Sequence, residues 1–304
     1  MSADGPPALR LGIDLGGTKI AGIAFRGNQV AGARRMPAPR YDYAATLRAI
    51  AEMIAALERD AGEHGSIGIG MPGSVSPVTG LVQNANSTWL NGKPFLSDVE
   101  GYLGRRVRLA NDANCFALSE ATDGAGADAR SVFGVILGTG CGGGLVFDGR
   151  LIDGPNGIGG EWGHNPLPWA TPEEIPGPRC WCGRQSCLET WVSGPGLEGD
   201  YERRTGAKLP AEEIARLAAS GHDAAGAALR RHAGRLARGL AHTVNLFDPE
   251  AIVLGGGLSN LAHLYEELPG LMRAHVFADA PRVTIKPPRW GDTSGVRGAA
   301  RLWD

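Results

Sequence analysis

Leu9-Arg-Leu-Gly-Ile-Asp14-Leu-Gly-Gly-Thr-Lys19-Ile-Ala-Gly-Ile-Ala-Phe25 is two short apolar runs joined by a Gly-Gly-Thr turn. Runs of this length bounded by turn residues read as buried strands. A second unit of the same kind stands at Ser131-Val-Phe-Gly-Val-Ile-Leu137-Gly-Thr-Gly-Cys-Gly-Gly-Gly144-Leu-Val-Phe147. Two strand–Gly-turn–strand units imply two related lobes. Working outward, Ser66–Gly70, Arg106–Ala110, Ala251–Leu254 and Arg282–Lys286 also read as strands. Helical spacing of apolar residues predicts helices over Tyr43–Leu57, Asp112–Ala121, Ala211–Ala219, Gly226–Phe247, Asn260–Arg273 and Val296–Leu302. Residues 71–96 read as loop and 148–196 as irregular. Strands alternating with helices make the class α/β. The expected division is an N-terminal lobe over 1–120 and a larger lobe over 121–293, with a last helix, 294–304, packing back on the first.

The composition sets limits. At 304 residues, 43% hydrophobic and 20% charged, the chain has the balance of a globular protein able to bury two cores. A formal net charge of −2 gives no general attraction to nucleic acid or an anionic membrane. No run approaches the roughly 20 apolar residues of a membrane span. Met1–Arg10 has no apolar core and no cleavage site, so no signal peptide is expected. Five cysteines, an odd count, then argue for a reducing, cytoplasmic setting. The 47 glycines are about double average usage and cluster after apolar runs, as turns do where backbone must approach a ligand.

Asp14-Leu-Gly16-Gly17-Thr18-Lys19 closes a strand with an acid, two glycines, a hydroxyl and a cation. Such a turn can offer N–H groups and a hydroxyl to phosphate oxygens, and Asp14 can hold Mg²⁺ directly or through water. A plain hairpin turn explains the same residues. Gly138-Thr139-Gly140 is the second such loop. The G-x-G-x-x-G pattern at 138, 140 and 143 is not read as a dinucleotide fingerprint, because a strand follows it where a helix should open. Gly255-Gly256-Gly257 follows a third apolar run, where either a flat adenosine or nothing more than a tight turn would fit.

Asn111-Asp112 stands where a strand gives way to a helix. Phosphoryl transfer to an alcohol needs a positioned acceptor, a metal and a base for the hydroxyl proton; Asp112 suits that base, and it also suits a helix N-cap. Cys180, Cys182 and Cys187 pack three thiols into eight residues, with His164 upstream. Together they form a Cys₃His set suited to a closed, structural Zn²⁺ site; a disulfide or free core thiols are the other readings. Glu161 and Glu189 flank this knot, and either could accept bonds from sugar hydroxyls or be a solvated surface charge.

These motifs, in this order, resemble the ROK family of bacterial sugar kinases and related repressors, from about residue 9 to 303. The resemblance implies an actin-like (hexokinase/ribonuclease H-like) two-lobed ATPase fold with a cleft between the lobes. It implies that Asp112 is the base of an ATP:hexose phosphotransferase acting on a 6-hydroxyl. Gly73, Asn86, Asn111, Glu161, His164 and Glu189 would line the sugar pocket, with His164 also on zinc. Thr18, Lys19, Thr139 and Gly256, with the glycines around them, would lie along the path of ATP. It also implies a homodimer. Met71–Pro77, Asn84–Phe95 and Gly160–Trp169 look most like the fructokinases of the family, so D-fructose is the expected substrate, with mannose or glucose beside it. Asn111–Glu120 looks like its N-acetylglucosamine kinases, the alternative. Family repressors carry an N-terminal helix-turn-helix, for which the 13 residues before Asp14 are too few. Two departures stand out: Ser186 replaces the glycine usual before the last cysteine, so a different local turn is expected, and the stretch from His164 to Cys180 is longer than in many relatives.

Overall fold

A computed structural model describes residues 8–304; most of the stretch read for a signal peptide lies outside them. The chain divides into two units. The first takes the chain up to Ser119 together with Leu151–Gly159 and Asp292–Asp304, and the second Glu120–Arg150 and Gly160–Gly291. Among the described residues no helix is long and apolar enough to cross a membrane.

In the first unit, β1 (Leu9–Leu15), β2 (Lys19–Arg26) and β3 (Gln29–Pro37) form an antiparallel meander, followed by α1 (Tyr43–Ala61) and β4 (Ser66–Met71). The short pair β5 (Ser74–Val75) and β6 (Val82–Gln83), helix α2 (Phe95–Leu103), β7 (Val107–Asn111) and α3 (Asp112–Thr122) complete its main run. The sheet order is β3-β2-β1-β4-β7, with β1, β4 and β7 parallel. Helix α1 starts at Asp42, whose carboxylate accepts from the Ala45 N–H at 2.9 Å, and stops at Gly62 in the left-handed conformation (φ 74°). Its Ile50, Met53, Ile54 and Leu57 are buried with Leu11, Ile13 and Ile20 of the sheet. The C-terminal helix Ser294–Ala300 lies against β1 and β4. Gly12 and Gly68 are register partners there. A methyl group on them would stand 2.1 Å from the Val296 carbonyl oxygen and 1.8 Å from that of Ala299. Only glycine lets backbone pack on backbone so closely.

The second unit repeats the plan. Its strands are β8 (Ser131–Leu137), β9 (Cys141–Phe147), β10 (Arg150–Leu151), β11 (Ala251–Gly255) and β12 (Ile285–Lys286). The order is β10-β9-β8-β11-β12: an antiparallel hairpin β8–β9, then β8, β11 and β12 parallel. Between β10 and β11 run the short α4 (Glu189–Val192), α5 (Gly194–Thr205), α6 (Ala211–Ala219) and the 25-residue α7 (Asp223–Phe247); α8 (His263–Met272) follows β11. Helix α7 buries Leu229, Leu236 and Leu240 in a core shared with Val135, Trp191 and Ile252.

The stretch between His164 and Cys180 is held by charge. Glu174 accepts from Arg235 Nε at 2.8 Å and from both terminal nitrogens of Arg238 at 2.8 and 2.9 Å. Asp200 takes Arg235 and Arg231 in the same way. Burial raises the Glu174 carboxyl, but Arg238 and Arg235 outweigh it and hold the group at about 2.

Several expectations are corrected. The loop 71–96 contains β5 and β6, and the irregular 148–196 contains β10, α4 and the start of α5. The turn at Ser186 keeps the left-handed conformation that glycine would adopt, φ 64°. The Ser186 hydroxyl accepts from the Gly177 N–H at 2.9 Å, which offsets part of the roughly 1 kcal/mol cost of that backbone.

Candidate active site

In the first unit the predicted residues gather at the carboxyl ends of parallel strands. Asp14 on β1 pairs with Gly70 on β4, and Met71 pairs with Asn111 on β7. Asn111, not Asp112, caps α3: its side-chain oxygen accepts from the N–H groups of Ala113 (2.8 Å) and Asn114 (3.4 Å). Its amide nitrogen donates to the Gly73 carbonyl at 3.2 Å. Asp112 Oδ1 accepts from the same Ala113 N–H at 2.9 Å, so that donor is shared, while the Asn114 N–H goes to Asn111. Burial pushes the Asp112 carboxyl up, against the lowering effect of the Ala113 N–H and Asn111. Asp14 is pushed to about 6, first by burial and then by the charge of Asp112, with Lys19 opposing. A half-buried pair of carboxylates with one nearby lysine is a donor set that fits a hard cation such as Mg²⁺.

Gly16, Gly17 and Thr18 form the β1–β2 turn, closed by the Gly16 N–H on the Lys19 carbonyl at 3.0 Å. Gly17, Thr18 and Lys19 are exposed. Gly73 has φ 71°, and its backbone approaches Ala85, next to the exposed Asn86.

A cavity of about 210 Å³ opens beside Asn111. Val75, Pro77 and Leu109 are among its apolar lining residues, and Asn111, Asn114 and Asp153 among its polar ones. The Asn114 amide donates to Asp153 at 3.2 Å, and burial raises the Asp153 carboxyl. Sequence reasoning missed Asp153. The one available signal was an acid just before a Gly-Pro-Asn-Gly loop.

In the second unit, Gly138-Thr139-Gly140 is the β8–β9 turn, and Gly255-Gly256-Gly257 ends β11. Strands β8 and β11 are parallel neighbours, so the two loops meet. Gly256 has φ 79°, and a methyl group there would lie 2.4 Å from the Leu137 carbonyl oxygen. Glu189 opens α4 and accepts from the Cys141 N–H at 2.9 Å, which sets it against the Gly138–Gly140 turn. Glu161 precedes the 3₁₀ turn Trp162–His164, whose Trp162 indole donates to the Gly142 carbonyl at 3.1 Å.

The knot residues converge. The ligand atoms of His164, Cys180, Cys182 and Cys187 all lie within 4.8 Å of one another. Cys182 and Cys187 sulfurs are 3.6 Å apart, and Cys180 Sγ is 3.6 Å from His164 Nδ1. A disulfide would need about 2.05 Å. Ligands about 2.3 Å from a tetrahedral zinc lie roughly 3.8 Å from each other, so the set fits the ion. Burial and the neighbouring sulfurs push the Cys187 thiol to about 12, so a bound cation is what would hold all three as thiolates. With Nδ1 turned to the sulfurs, His164 keeps Nε2 for another partner.

Comparison with known proteins gives a consistent outcome. The profile of the ROK family matches residues 10–304. An N-acetyl-D-glucosamine kinase of Yersinia enterocolitica is 40% identical over 296 residues, 96% of this chain and 98% of its own. The ROK hexokinase of Thermus thermophilus superposes with a TM-score of 0.85 at 34% identity, covering 96% of each chain. A ROK glucokinase of Streptomyces griseus, solved with glucose and AMPPNP, gives 0.77 at 28% identity, covering 97% of this chain and 98% of its own. The actin-like α/β fold that the resemblance implied is therefore the fold of the chain. The sugar-kinase family is thus shown, and the relative named above matches the N-acetylglucosamine kinase alternative better than the likeness to fructokinases.

Proposed function

The chain belongs to the ROK family, and from that premise we propose that it is an ATP-dependent sugar kinase whose acceptor is N-acetylglucosamine. The observation that carries the choice of sugar is the cavity beside Asn111. Val75, Pro77 and Leu109 offer an acetamido methyl group apolar contact, while Asn111 and Asp153 offer polar partners to its amide and to ring hydroxyls. Fructose has no group that would use the apolar part. The 40% identity to an N-acetylglucosamine kinase over nearly the whole chain supports the same reading.

The chemistry follows from this chain's residues. Asn111 caps α3, and Asp112 Oδ1 accepts from the Ala113 N–H beside it. Asp112 takes the proton of the acceptor hydroxyl as that oxygen bonds to the γ-phosphorus and the bond to ADP breaks. The raised Asp112 carboxyl is a better base than an exposed aspartate. Gly138–Gly140 and Gly255–Gly257 present backbone to the nucleotide. Glu161, Glu189 and His164 Nε2 hold sugar hydroxyls. A Mg²⁺ held through Asp14 would offset phosphate charge.

The test is ADP release with Mg·ATP against N-acetylglucosamine, glucose, mannose and fructose. The highest kcat/KM is expected for N-acetylglucosamine. A higher value for fructose would overturn the choice of sugar, and no release with any sugar would overturn the kinase reading.

A further inference from the structure

Trp181 stands between two of the knot cysteines, Cys180 and Cys182, and 58% of its surface is exposed. A tryptophan so exposed contributes little to packing. Its polar end is nonetheless committed: the indole N–H donates to Glu189 Oε1 at 2.8 Å. Glu189 Oε2 is already taken by the Cys141 N–H at 2.9 Å. The two N–H donors grip opposite oxygens of one carboxylate, with Cys180 Sγ also 3.9 Å from Oε1, and so stop it from turning about its last bond. A carboxylate has about four lone-pair sites, so those that remain keep a fixed direction. The ring of Trp181 also stands edge-on to His164, with centroids 5.1 Å apart and planes at 82°. The backbone under the ring is pinned by Cys180 and Cys182. One side chain thus ties the metal knot to an acid that the functional reading assigns to the sugar.

We infer that Trp181 is a positioning residue: its indole N–H clamps Glu189 in the orientation that receives a sugar hydroxyl, and transmits the order of the zinc knot to that acid. The inference rests on the sugar-kinase reading for its consequence, but the clamp itself is independent of that reading.

The experiment uses the zinc-loaded full-length chain labelled with ¹⁵N in its seven tryptophans. Trp181→Phe keeps an aromatic ring, though a smaller one, and removes the donor, so the indole signal it loses is that of Trp181. In Glu189→Gln that signal is expected to move, because a neutral amide is a weaker acceptor than a carboxylate. Trp181→Phe is further expected to raise KM for N-acetylglucosamine about tenfold, the loss of one hydrogen bond to a charged group. KM for ATP and the zinc content should stay as in the parent. A Trp181 signal that does not move in Glu189→Gln overturns the clamp, whether or not the parent phosphorylates any sugar. A KM for N-acetylglucosamine within twofold of the parent overturns the positioning role. Loss of zinc from Trp181→Phe, or equal rises for sugar and ATP, assigns Trp181 to upkeep of the fold and also overturns it. Failure of the parent to phosphorylate any sugar counts against the functional reading alone.

Discussion

The two units share one plan, a hairpin followed by parallel strands, yet the acids at the strand ends of the first and the acids that meet α7 in the second are treated in opposite ways. In the first, Asp14 and Asp112 lie at strand ends with one lysine nearby, and both carboxyls are pushed up, Asp14 to about 6. In the second, Glu174 and Asp200 are saturated by Arg231, Arg235 and Arg238, and Glu174 is held at about 2. An acid left without an arginine costs stability and keeps its reactivity. An acid given two arginines loses reactivity and fixes a loop. A shared topology can therefore leave its acids without a counter-charge from arginine in one copy and clasp them in the other.

The sharpest way to break this contrast is Asp112→Asn. It should lower kcat about a thousandfold, as loss of a general base does, while calorimetry shows the sugar still binding and the melting temperature no lower than the parent's. A variant with full turnover would remove Asp112 from the chemistry. Next in size, Arg238→Met leaves Glu174 partly unpaired and should cost about 3 kcal/mol in a denaturant titration; a loss under 1 kcal/mol would make the clasp ornamental.

Acid should then separate Glu174 and Asp14 by sign. Glu174 is depressed, so its contribution is complete above its ordinary 4.5 and is lost as pH falls from there toward 2. Asp14 is raised, so the first unit loses stability as pH rises from its ordinary 3.8 to about 6, and regains it on acidification through that window. Hydrogen exchange at pH 7, 5 and 3.5, in a chain free of Mg²⁺, should show β1 and β4 gaining protection from the first to the second, and α7 losing it from the second to the third. Parallel behaviour in both would erase the distinction. The smallest effect belongs to Ser186→Gly, which relieves a left-handed serine but gives up the bond from Gly177, and should shift stability by less than about 1 kcal/mol.

Much of this was legible from residue order alone. The paired strand–turn–strand units stood out because their strands are apolar on both faces and their glycines mark the turns. The edge strand Gln29–Pro37 was missed because it is largely exposed and carries Arg34 and Arg35, so no apolar period marks it. Helix Gly194–Thr205 was missed because Gly-Pro-Gly opens it; its start is secured by Ser193, whose hydroxyl accepts from the Gly196 N–H at 3.2 Å. At the site, Asp112 and the Cys₃His set were named from their neighbours in sequence. Asp153 and Trp181 were not, since each acquires meaning only from a side-chain contact that no motif spacing marks, with Asn114 39 residues away for one and with Glu189 8 residues away for the other. The capping role of Asn111 likewise needed geometry, because Asn and Asp are equally good caps on paper.

The glycine pair Gly12 and Gly68 has a consequence for biosynthesis. The groove they open is filled by Ser294–Ala300, which leaves the ribosome some 280 residues after β1, roughly 15–60 s later at ordinary elongation rates. The half of the protein that is translated first is thus the half that is finished last. It must wait with an open flank on its sheet while the other half is made, and this interval is where a chaperone would have most to do.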